Sequence, residues 1–108
     1  MATTYKILGQ VAPAANTLTD LYTVPAATNA VCSTLAVCSR ANTSSFRVAI
    51  RPGGASIADS HYIVYDNWVD SRDSVFLTIG ITLSAGDVVS VYGDQATNTF
   101  SLFGSEIV

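Results

Sequence analysis

Three groups of residues in this 108-residue chain have side chains that could do chemistry. Asp59-Ser60-His61 holds the three residue types of a hydrolytic triad. A triad is a spatial arrangement, however, and neighbours along a strand point to opposite faces, so adjacency argues against one. No G-x-S-x-G elbow is present to expose a serine, and His61 reads as an ordinary histidine at a strand start. Asp66, Asp70 and Asp73 with Asn67 could supply oxygen ligands to Ca²⁺, but they lack the alternating spacing of a calcium loop. A solvated loop with local Asx turns accounts for them without an ion. Two cysteines and one histidine are too few for a structural zinc site within one chain. The turn Pro52-Gly53-Gly54 is punctuation, not a phosphate loop. The residues therefore predict no catalytic centre, no cofactor and no metal.

Cys32 and Cys38 are six residues apart on one expected strand, so their Cα atoms should be roughly 20 Å apart, far beyond disulfide reach. Their even spacing places both on one face, beside Thr34 and Ala36. Two small buried hydrophobes is the plain reading, and an intermolecular disulfide or a thiol contact at an interface is the alternative.

The elements that must position these residues are strands. No segment keeps a helical i, i+3, i+4, i+7 repeat, while short alternating runs recur with turn signals between them. Tyr5 to Val11 is a first strand or arm within residues 1–17, and its Gly9 suggests a bulge or a close backbone approach. Leu18 to Val24 follows and is stopped by Pro25. Val31, Ser33, Leu35 and Val37 alternate with Cys32, Thr34, Ala36 and Cys38, leaving a strand uncharged on both faces. A polar loop, Arg40 to Ser45, leads to Phe46 to Ile50, and the two strands read as a hairpin. His61 to Tyr65, Val75 to Leu83, Val88 to Tyr92 and Phe100 to Phe103 complete the series. The spacing predicts one all-β domain over 1–108, an antiparallel sandwich of about seven or eight strands, jelly-roll-like or Ig-like, with a closed barrel as the alternative. Its core should centre on Leu35, Val48, Leu77, Ile79 and Ile81.

Hydrophobic residues make up 49% of the chain and charged ones 12%, about half the usual charge of a soluble domain. A surface this poor in charge is weakly defended against sticking, which suits a subunit that covers much of its exterior with copies or partners. Net charge is −3, with only Lys6, Arg40, Arg47, Arg51 and Arg72 basic, so nucleic acid is not an expected ligand. No run of 18 apolar residues exists to span a membrane as a helix. The segment MATTYKILGQ lacks the basic start and apolar centre of a secretory signal, so synthesis in a cytoplasm is expected. Trp68, the sole tryptophan, stands in the polar stretch Asp66 to Asp73. It either folds back on the core or serves, with Tyr62 and Tyr65, as an exposed anchor.

Asp20-Leu21-Tyr22-Thr23-Val24-Pro25-Ala26, followed by the apolar run Val31 through Cys38-Ser39-Arg40, resembles small virion proteins of tailed bacteriophages. Phe46 to Pro52, His61-Tyr62-Ile63, Leu77 to Leu83 and the closing Phe103-Gly104-Ser105-Glu106-Ile107 extend the likeness over most of the chain from Leu18 onward. The resemblance implies a non-enzymatic structural protein located in the virion and assembled in the host cytoplasm. Such proteins serve as capsid decoration or cement proteins, often trimers resting on a major capsid protein, or as tail, neck or fibre components. No fibrous repeat or heptad is present, which favours a compact cap. The competing class is a host-glycan-binding module with Tyr62, Tyr65 and Trp68 as its platform. Tyr62, Tyr65, Trp68, Cys32 and Cys38 are accordingly the candidate interface residues.

Overall fold

The computed structural model describes residues 2–108. Its strands are β1 (Thr3–Val11), β2 (Thr19–Thr23), β3 (Asn29–Ser39), β4 (Ser44–Arg51), β5 (Tyr62–Val69), β6 (Ser74–Leu83), β7 (Val88–Gly93) and β8 (Asn98–Ile107). They form two four-stranded sheets, the first in the order β1-β8-β3-β6 and the second in the order β2-β7-β4-β5. Every pairing is antiparallel, and β1 pairs with β8, β2 with β7, β3 with β6, and β4 with β5. Four such pairs wrapped around one core are the topology of a jelly roll, which decides between the two expected sandwich types.

Alternation builds the core from the inner faces of both sheets. Leu35, Val37, Phe100 and Leu102 from the first sheet meet Phe46, Val48, Val89 and Val91 from the second, all buried. Phe46 and Phe100 touch edge to face across the gap, with ring centroids 6.2 Å apart. Leu35 and Val48 are where the alternation places them, but Leu77, Ile79 and Ile81 are only partly buried. They point inward from β6, the outermost strand of its sheet, where the opposite sheet does not reach far enough to cover them.

The expected hairpin of the third and fourth strands does not form. β3 lies in the first sheet and β4 in the second, so Arg40 to Thr43 carries the chain across the sandwich. Buried Ser39, Ser44 and Asn98 secure this crossing: Ser39 donates to the Asn42 carbonyl at 2.5 Å, and Ser44 donates to Asn98 Oδ1 at 2.6 Å. Among the described residues, the only consecutive strands paired with each other are β4 and β5.

The two long sides of the sandwich differ. Along β1 and β2 it is sealed: a Cβ on Gly9 would lie 2.2 Å from the Leu21 carbonyl oxygen, so only glycine permits this approach. Glu106 completes the seal, accepting from the Tyr22 hydroxyl at 2.6 Å and from Lys6 at 3.2 Å. The Tyr22 hydrogen bond holds the Glu106 carboxyl below its ordinary range, while burial, followed by that same bond, pushes the Tyr22 phenol up. Along β5 and β6 the sandwich stays open, and the inward stripe Val75, Leu77, Ile79 and Ile81 is half-buried there.

Candidate functional site: two unlike sheet faces

Register assigns each outward side chain of the first sheet. On β3 these are Val31, Thr34, Ala36 and Cys38; their partners on β8 are Ser105, Phe103, Ser101 and Thr99. On β6 the outward positions include Ser74, Phe76, Thr78 and Thr82, and on β1 they are Tyr5, Ile7 and Gln10. None is charged. The four strands carry two charged residues, Lys6 and Glu106, and both occupy inward register positions at the sealed seam. Strand rise and spacing give this face roughly 600 Å², at the upper end of ordinary surface patches and close to one partner's share of a standard interface.

The second sheet presents the opposite character. Asp20, Arg47, Arg51 and Asp66 lie on its outer side, held in ion pairs of 2.8 Å (Arg51–Asp20) and 2.6 Å (Arg47–Asp66). The Arg47 guanidinium is stacked between the rings of Tyr65 and Tyr92, 4.2 and 4.4 Å from their centroids. The bidentate Asp66 bond keeps Arg47 firmly cationic and fixes its plane. Tyr62 meets Tyr65 edge to face at 5.0 Å, and these two rings with Asp59 line a cleft of about 410 Å³.

The candidate interface residues are thus divided. Tyr62 and Tyr65 come together on the second sheet, and Trp68 follows on the same strand, opposite Ser45. Trp68 is 61% exposed, so it does not fold back on the core. Its position is also a correction, since it stands in β5 and not in a loop: Asp66 takes a positive φ of 53° at a bulge, and the strand continues past it to Val69.

The cysteines do not share a face. Register slips between Cys32 and Thr34, leaving Ser33 as an extra residue, and the slip turns Cys32 inward while Cys38 stays outward. Cys32 is fully buried in the core, which removes it from any interface, and burial pushes its thiol up to about 11. Cys38 is half-buried on the uncharged face. Both are free thiols.

His61 closes a short 3-10 turn, Asp59–His61, and its Nδ1 accepts from the Ala58 amide at 3.1 Å. Asp66 is occupied by Arg47, Asp73 accepts from the Ser74 amide at 2.8 Å, and Asn67 accepts from the Trp68 amide at 2.9 Å. Among the described residues, no three His, Cys, Asp or Glu side chains group as a metal site would need. Arg47, Tyr92, Tyr5, Ile7 and Phe76 were not singled out by sequence reasoning. Their signal was an exposed position on an alternating strand, which identifies a surface residue but not its neighbours. A scan against protein-family models finds no match to this chain, and a search of curated proteins finds none either.

Proposed function

We propose that this chain is a non-enzymatic structural protein whose uncharged sheet face is covered in an assembly, as a cap on the capsid shell of a tailed phage. The observation that carries this reading is the absence of charge from every outward position of the first sheet while ion pairs populate the second. Charge is what the centre of an interface excludes. The resemblance of the chain from Leu18 onward supplies the virion setting, and the compact jelly roll without a fibrous repeat favours a shell cap over a tail part. The capping copies act together, so weak contacts from each combine through avidity. Heads purified from virions lacking this protein should take it up and then resist heat better. Uptake by purified tails and not by heads would transfer the role to the tail.

A second reading rests on the opposite face. Tyr62, Tyr65 and Asp59 line a cleft in which Arg47 stacks on Tyr65 and Tyr65 meets Tyr62 edge to face, and ordered aromatic surface beside a carboxylate suits the apolar face and hydroxyls of a sugar. On this reading a glycan array gives binding that Tyr65→Ala reduces at least about tenfold, the cost of losing one stacked ring and its contacts. An array without signal removes it.

A further inference from the structure

We propose that the sealed seam between β1 and β2 is an acid-released clasp: neutralising the Glu106 carboxylate parts these two strands while the core strands of both sheets stay paired. The clasp is a property of the single chain; only its consequence for assembly rests on the reading above.

Each strand at the seam is weakly held by its own sheet. β1 has β8 as its one ladder partner, and β2 has β7. Each ladder is interrupted by one extra residue, Leu8 between Ile7 and Gly9, and Leu21 between Asp20 and Tyr22. A slip of this kind leaves a residue out of the ladder and disrupts the pairing there. Leu8 is the only buried side chain of β1, so that strand adds little to the core.

One carboxylate spans what the ladders leave loose. Glu106 of β8 accepts from the Tyr22 hydroxyl of β2 at 2.6 Å and from the Lys6 ammonium of β1 at 3.2 Å. It thereby joins three strands and both sheets, with its side chain 13% exposed and Tyr22 buried. A hydrogen bond to an ionised group is about twice as strong as one between neutral groups. Protonating Glu106 therefore weakens the Tyr22 bond and abolishes the attraction to Lys6.

Among the described residues, Lys6 from β1 and Tyr22 from β2 are the titratable groups that bear on Glu106, and Cys32 of β3 bears on Tyr22. An ammonium, a phenol and a thiol all keep their protons in acid, so the carboxyl is the group of the seam that changes. The Tyr22 bond, aided by Lys6 and opposed by burial, holds that carboxyl below its ordinary range. Its contribution is complete above the ordinary carboxylate range and is lost as pH falls through the lower value of the folded chain. Parting the seam also removes a margin of the uncharged face, because β1 carries Tyr5 and Ile7 there.

Acid discharges every carboxylate, including Asp20 of β2, which is bonded to Arg51 and Ser90. The test therefore alters the clasp at constant pH and reads each amide by native-state hydrogen exchange. At neutral pH, Glu106→Gln should lower the protection of β1 and β2 amides about tenfold or more, the worth of one charge-assisted hydrogen bond, and leave β3 and β4 unchanged. In the unaltered chain β1 should lose protection in acid before β3 and β4 do, and Glu106→Gln should lack this step. Tyr22→Phe keeps the buried ring and should move the step to higher pH; it carries the test by itself should Glu106→Gln not fold. Unchanged protection in Glu106→Gln, a loss shared equally by β3 and β4, or a step that Tyr22→Phe leaves in place overturns the clasp. Heads that hold Glu106→Gln as firmly as the unaltered protein at neutral pH overturn the consequence for assembly alone.

Discussion

Phe46→Ala is expected to lower the free energy of unfolding by about 3–5 kcal/mol. Phe46 is fully buried at the centre of the second sheet and meets Phe100 of the first edge to face at 6.2 Å. Removing it costs the transfer energy of the ring, the aromatic contact and the energy of the cavity left between two sheets that cannot both collapse. A domain of this size has about 5–15 kcal/mol in total, so the variant should melt far earlier or fail to fold at room temperature. Denaturant unfolding measures the loss. Ile79→Ala is the internal comparison: half-buried at the open side, it should cost clearly less than Phe46→Ala, because only part of its surface leaves water on folding. Equal losses would contradict the open margin between β5 and β6.

Strand content was legible because alternation is local, and the described residues form eight strands where seven or eight were expected. Connectivity was not. A short polar stretch such as Arg40 to Ser45 serves a hairpin and a crossing between sheets equally well. The crossing follows from partners distant in sequence, β8 for β3 and β7 for β4, and is bonded through Asn98, 54 residues beyond its partner Ser44. Face assignment failed at one residue for a similar reason. Ser33 is small and polar like its outward neighbours, so nothing in its type marks the bulge that turns Cys32 into the core and leaves Cys38 outside. Gly9 was legible, since a glycine inside a strand points to close approach, and the Leu21 carbonyl occupies the space a Cβ would need.

The surfaces were half legible. β3 was recognisably uncharged on both faces, but an uncharged sheet face exists only once β1, β6 and β8 lie beside it in register. Tyr62, Tyr65 and Trp68 were recognisable as candidate anchors, but whether Trp68 folds back on the core or stands exposed was left open by its type and spacing. Arg47 between Tyr65 and Tyr92 was not, because that stack needs β4 paired with both β5 and β7. In each case long-range pairing supplied what residue type and spacing leave open.

Ala36→Lys places a cation at the centre of the uncharged face, between Phe76 of β6 and Ser101 of β8, with no carboxylate among its strand partners. On a free monomer the side chain extends into water, so stability should change by less than about 0.5 kcal/mol, as at an ordinary surface site. In an assembly that covers this face, an unpaired buried charge costs about 3–5 kcal/mol per copy, or roughly two to four orders of magnitude in affinity. Trp68→Lys, on β5 of the opposite sheet, is the matched control. The deciding measurement is cosedimentation of these proteins with purified heads that lack the natural copy. Unaltered protein and Trp68→Lys should pellet with the heads while Ala36→Lys stays in the supernatant; uptake of Ala36→Lys equal to that of the unaltered protein would contradict the assignment of this face to assembly.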